Sequence, residues 1–80
     1  MDPRDLRKAF AANLRRLRHD SGKSQEELAH EAEVNRTYVS KLEKGASYPG
    51  LEIIAKLATV LEAKAAELLR MPPKRGSRVR

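Results

Sequence analysis

The run from Ser24 to Gly45, SQEELAHEAEVNRTYVSKLEKG, sets the tightest limit on what this chain can become. It reads as two short helices joined by a tight turn. Ser24 and Glu27 stand at capping-box spacing, where each side chain satisfies a backbone N–H of the other at the helix start. Leu28, Ala29 and Ala32 give this first helix a small apolar face. Asn35 is placed to cap the second helix, Val39 and Leu42 are its inward pair, and Gly45 is a natural stop. The second helix turns Asn35, Arg36, Thr37, Tyr38, Ser40, Lys41 and Lys44 outward. That set offers hydrogen bonds rather than an ordinary solvated Glu/Lys mixture, on an element with few apolar residues to hold it. Such a face is built to touch a partner.

The flanking segments also read as helix. Asp2-Pro3-Arg4-Asp5 is a helix start, with Asp2 as N-cap, Pro3 in the first turn and Asp5 near the positive end of the dipole. Leu6, Phe10, Leu14 and Leu17 form one apolar stripe, and Asp20-Ser21-Gly22 ends it. Beyond the loop from Ala46 to Gly50, which Pro49 stiffens, Leu51, Ile54, Leu57, Ala58 and Leu61 mark a fourth helix. Residues 51–71 contain neither Gly nor Pro, so local pattern alone permits one helix to Met71 or a break near Glu62–Lys64 with a short fifth helix. Pro72-Pro73 ends helix in either case. No segment shows the alternation of a strand, so the expected class is all-α. The expected organisation is a single domain over residues 1–71 and a basic, disordered tail over 72–80.

Composition narrows the function. The net charge is +6, but five of the seventeen basic residues (Arg70, Lys74, Arg75, Arg78, Arg80) lie at the C-terminal end, where there is no acid. Residues 1–69 therefore hold twelve bases against eleven acids. Any binding of nucleic acid must rest on where charge is placed, not on overall basicity. Within Gln25–Lys44 the bases Arg36, Lys41 and Lys44 all lie in or at the end of the later helix, while Glu26, Glu27, Glu31 and Glu33 belong to the earlier one and its turn. With no cysteine there is no disulfide framework or thiolate site. No apolar run approaches the roughly 20 residues of a membrane span, and no signal-like core precedes the first helix, so a cytoplasmic protein is expected. His19 and His30 lack metal-ligand spacing, and the contiguous His19-Asp20-Ser21 is not a catalytic triad, because adjacent side chains diverge. Neither an enzyme nor a cofactor nor a small-molecule ligand is indicated.

A helix-turn-helix needs a small residue at the crossing, apolar residues that pin both helices, and a free face that fits the major groove. Ala29 supplies the first. Leu28, Ala32, Val34, Val39 and Leu42 supply the second, and Arg36, Thr37, Ser40 and Lys41 the third. SQEELA, then VNRTYVSKLEKG, then PGLEIIAKLA resembles the Cro/C1-type (XRE-like) helix-turn-helix family over about residues 6–69. NRTYVS resembles the restriction–modification controller proteins within it.

That resemblance implies a compact five-helix, lambda-repressor-like domain that binds double-stranded DNA and regulates transcription, with helix 35–44 in the major groove. It implies base contacts from Arg36, Thr37, Ser40 and Lys41, and phosphate contacts from Ser24, Gln25 and Lys44. Asn35 at the start of the helix, and Tyr38 and Tyr48 near the same surface, are further expected phosphate contacts. Gln25 also matches a position that buttresses the recognition helix. Arg18 and Glu43 match a partly buried ion pair that ties the first helix to the third. A homodimer on a palindromic operator is expected; Ile53, Val60, Leu68, Leu69 and Met71 can form either its interface or peripheral core.

Three positions depart from the family pattern. Glu33 stands where Gly is frequent in the turn, which means a left-handed Glu at roughly 1–2 kcal/mol or a different turn. Gly50 stands where Ser or Thr often caps the fourth helix, and Glu62-Ala63-Lys64 replaces a Gly-containing turn. An antitoxin-like subunit, or a protein-interaction module on the same fold, is the alternative reading.

Overall fold

The computed structural model describes residues 1–72. Five helices follow in order: α1 (Pro3–Asp20), α2 (Gln25–Ala32), α3 (Arg36–Glu43), α4 (Leu51–Leu61) and α5 (Ala65–Leu68). There is no strand among the described residues, as the absence of alternation predicts. The basic tail expected from residue 72 lies, after Pro72, outside the described residues.

Each of the three N-caps read from sequence is made. Asp2 accepts from the Arg4 N–H at 2.9 Å, Ser24 from the Glu27 N–H at 3.0 Å, and Asn35 from the Thr37 N–H at 2.7 Å. The capping box is reciprocal, since the Ser24 N–H donates to the Glu27 carboxylate at 2.8 Å. That backbone bond, with the serine hydroxyl, holds the Glu27 carboxyl below its ordinary pKa. Gly50 caps α4 without a side-chain bond.

The first four helix ends follow one pattern. Gly22, Glu33, Gly45 and Glu62 all have positive φ, of 71°, 59°, 73° and 55°. After each, the next residue's N–H reaches back to a carbonyl five positions earlier: Lys23 to Arg18 at 3.2 Å, Val34 to Ala29, Ala46 to Lys41 and Ala63 to Ala58 at 2.9 Å each. This is the Schellman closure, which satisfies carbonyls the helix end would leave unpaired. Glu33 thus takes the left-handed conformation despite its Cβ. Glu62 decides the open question at the far end: the helix breaks there, and α5 is a separate short element.

The core gathers one face from every helix. Phe10, Leu14, Leu28, Val39, Leu42, Leu57 and Leu68 are all fully buried. Ala29, 3% exposed, lies in the core that α2 shares with α3. Leu6 and Leu17, at the ends of the α1 stripe, are only half-buried, whereas Ala9 and Ala11 beside it are buried. Leu68 at 0% exposure belongs to this core, which removes it from any surface for a second copy. Asn13 on α1 clasps the end of α5, donating to the carbonyls of Leu68 and Arg70 at 2.9 Å each.

Candidate nucleic-acid interface

The site is organised around Glu43, the last residue of α3 and the one buried charged side chain in the described core. Arg18 of α1 meets it in a two-pronged pair, Nε to Oε2 at 2.6 Å and Nη2 to Oε1 at 3.0 Å. A planar guanidinium suits this geometry. Gln25, the first residue of α2, donates its amide to Oε1 at 3.0 Å. Arg15 donates to the Glu43 carbonyl, and Arg18 also donates to the Lys23 carbonyl at 2.9 Å. Three helices therefore converge on one carboxylate.

Burial pushes the Glu43 carboxyl up, but the bonds from Arg18 and Gln25 outweigh it and leave the group below its ordinary pKa. The same contact with Glu43 raises Arg18 against the opposing effect of burial. Both groups are thus charged at neutral pH, and the pair ties the end of α3 to α1.

With that end pinned and Val39 and Leu42 at 0% exposure, the opposite side of α3 is free. Arg36, Thr37, Lys41 and Lys44 are exposed, and Ser40 is half-buried. Arg36, Lys41 and Lys44 form no ion pair among the described residues. The exposed acids of α2 are partly neutralised from elsewhere, Lys23 reaching Glu31 at 2.9 Å. An exposed cationic face on α3 is left, as the charge distribution along the sequence predicts.

The other sequence-selected residues take varied positions. The hydroxyl of Ser24 and the side chain of Asn35 serve as caps at the exposed starts of α2 and α3. The amide of Gln25 is turned inward to Glu43, which is the buttressing geometry. Tyr38 is half-buried against the core, and its hydroxyl donates to the Tyr48 carbonyl at 3.4 Å. Tyr48 itself is 57% exposed in the loop after α3. Sequence reasoning passed over Arg7 and Arg15, because α1 carries many basic residues and its pattern does not distinguish the ones that face α3.

No helix among the described residues is long and apolar enough to cross a membrane, and none of their His, Asp or Glu side chains cluster as a metal site would require.

Comparison with known proteins agrees with this geometry. A helix-turn-helix domain family matches residues 9–71. A hypothetical transcription factor from Neisseria meningitidis serogroup B is 42% identical over 74 residues, covering 92% of this chain and 70% of the relative. The crystal structure of the hypothetical transcription factor NHTF from Neisseria superposes with a TM-score of 0.82 at 42% identity, covering 90% of this chain and 83% of that one. The restriction-modification controller protein C.AhdI from Aeromonas hydrophila superposes with a TM-score of 0.75 at 40% identity, over 78% of this chain and 94% of that one. Control protein C.BamHI from Bacillus amyloliquefaciens is 35% identical over 66 residues, 81% of this chain and 82% of the relative. With a capped α2, a pinned α3 and a free outer face on that helix, the chain belongs to the helix-turn-helix family of Cro/C1 (XRE-like) type, whose members regulate transcription by binding DNA.

Proposed function

We propose that the protein binds a specific double-stranded DNA operator as a homodimer, with α3 of each copy in the major groove. The observation that carries this reading is the division of α3, buried through Val39, Leu42 and Glu43 and exposed through Arg36, Thr37 and Lys41. Arg36 lies in the first turn, where an arginine can pair with a guanine edge. Thr37, Ser40 and Lys41 flank it on the same side. The starts of α2 and α3 present Ser24 and Asn35 beside backbone N–H groups, an arrangement suited to phosphate. Gln25, Tyr38, Lys44 and Tyr48 extend that rim; Gln25 does so chiefly through its backbone, its side chain being held by Glu43.

One α3 reads too few base pairs for a unique site, at about 1–3 kcal/mol per good contact. Two copies spaced by about one turn of DNA double the discrimination and read a palindrome. α4 and its surroundings offer the surface for pairing: Leu51 is 84% and Met71 38% exposed, beside half-buried Ile53, Val60 and Leu69. Relatives described as a transcription factor and as restriction-modification controllers support this reading, and a protein that reaches DNA directly belongs in the cytoplasm.

Selection of bound duplexes from a random pool tests the whole reading. The expected product is a palindrome with half-sites one helical turn apart. No enrichment would point instead to a protein-interaction module on the same fold, and a non-palindromic site would remove the dimer.

A further inference from the structure

One stripe of α1 runs beside the end of α3 and the loop that follows. Arg15 donates to the Glu43 carbonyl. Ala11 faces Gly45, where an added Cβ would stand 4.0 Å from the alanine methyl. The guanidinium of Arg7 lies over the Tyr48 ring, 4.5 Å from its centroid. Positions 7, 11 and 15 share one helical face, so α1 lines the loop along its length.

Arg15 and Ala11 have evident structural work in this stripe. Arg7 does not. Arg4 and Arg18 on the same helix are paired with Asp2 and Glu43, but Arg7 has no ion pair among the described residues. Its Nε is buried without a hydrogen-bond partner among those residues. That nitrogen faces into the fold and fixes the orientation of the group, so an anion from outside would meet the terminal guanidinium nitrogens, which have no ion pair among the described residues. The ring beneath it carries the stacked guanidinium, and the backbone of the same residue is tied to α3 by the Tyr38 hydroxyl on the Tyr48 carbonyl. A guanidinium stacked on an aromatic face keeps its charge and loses freedom, which prepares it for a bidentate anion.

We infer that Arg7 and Tyr48 form a phosphodiester-binding station at the edge of the α3 interface, extending DNA contact from the helix-turn-helix onto α1. The inference rests on the groove reading of α3. Arg7 supplies the charge. Tyr48 supplies the platform that orients it and a phenolic hydroxyl for the same phosphate.

The test uses the full chain on the duplex recovered by selection. Affinity is followed across salt for Arg7→Ala, Arg7→Lys and Tyr48→Leu, with folding checked by circular dichroism. Loss of one phosphate contact lowers the slope of log affinity against log salt by about 0.9. Arg7→Ala is expected to show that change and about a tenfold loss of affinity. Arg7→Lys should keep the slope, and Tyr48→Leu should weaken binding with a smaller slope change. Duplexes with a single neutral methylphosphonate, scanned through the site with the parent and with Arg7→Ala, should contain one position at which Arg7→Ala has no further effect; Arg7→Gln repeats the comparison should Arg7→Ala fold poorly. An unchanged slope for Arg7→Ala, or the absence of any such position, overturns the inference. Arg36→Ala and Lys44→Ala on the same duplex separate the two levels. If they weaken binding while Arg7→Ala does not, only the station fails. If none of the three has an effect, the groove reading itself is lost.

Discussion

Lys41 and Glu43 are two residues apart on α3 and live under opposite conditions. Glu43 is 3% exposed, and its carboxylate takes bonds from Arg18 and Gln25 while Arg15 holds its carbonyl. Lys41 is exposed and has no ion pair among the described residues. The buried charge is spent inside the fold, and the exposed one is available to a partner. The two faces of α3 should therefore fail differently when altered: one through stability, the other through recognition.

The largest effect is expected at the buried end. Glu43→Ala would leave Arg18, only 12% exposed, without its counter-charge. Removing one member of a buried pair costs about 3–5 kcal/mol, a large share of the margin of a chain this small. Denaturant unfolding followed by circular dichroism measures it. A loss below about 1 kcal/mol would place Glu43 among surface ion pairs and collapse the contrast.

Protonation is a gentler way to break the same pair. The folded pKa of Glu43 lies below the ordinary carboxylate value of 4.5, so folding favours the charged form. Its contribution is fully present above that ordinary value and is lost as pH falls through the depressed folded value. Glu27 shifts in the same direction and adds to the acid sensitivity. Comparing stability at neutral pH with about pH 3, the parent should lose more than a Glu43→Gln variant does. Equal losses would mean that Glu43 is not a principal acid-labile group.

On the free face the expectation reverses. Arg36→Ala should leave unfolding free energy within about 0.5 kcal/mol of the parent, as exposed substitutions generally do. It should cost about 1–3 kcal/mol of discrimination at one base pair of the operator, read by competition among single-base variants. Lys44→Ala should weaken all duplexes alike and lower the salt slope by about one. A uniform loss with Arg36→Ala would move that residue from base to phosphate.

Much of this contrast was legible in the sequence, and the reasons are local. Caps at Asp2, Ser24 and Asn35 are short-range chemistry, and all three are made. The inward pair Val39 and Leu42 follows from helical period, so the outward face follows as its complement. The Arg18–Glu43 pair joins residues 25 positions apart and was reached only through the family resemblance. Arg15 on the Glu43 carbonyl and Arg7 over Tyr48 were not legible at all. The first joins α1 to the last residue of α3 and the second joins α1 to the loop beyond it, and nothing in α1 marks these arginines apart from Arg4 or Arg16. The assignment of Leu68 stayed open for a related reason: its burial depends on α5 folding back to α1, where Asn13 holds the carbonyls of Leu68 and Arg70.

The smallest effect concerns the turns, and it serves to separate stability from recognition. Four helix ends close in the same way, but Gly22 and Gly45 occupy two of the left-handed positions and Glu33 and Glu62 the others. A side chain in that conformation costs roughly 1–2 kcal/mol. Glycine removes that strain but gives back part of the gain through the greater freedom of the unfolded chain. Glu33→Gly should therefore stabilise the protein by about 0.5–1 kcal/mol, and Glu62→Gly by a similar amount. The closing bonds of Val34 and Ala63 are backbone bonds and do not need the glutamate side chains. Glu33 lies in the turn between α2 and α3, so its replacement also tests what aims the free face. If the Arg18–Glu43–Gln25 network sets the angle of α3, Glu33→Gly will raise stability while base preferences stay the same. A gain in stability accompanied by altered base preferences would instead give the turn a share in aiming the helix, and the division of labour between the two faces of α3 would have to extend to the residue that precedes them.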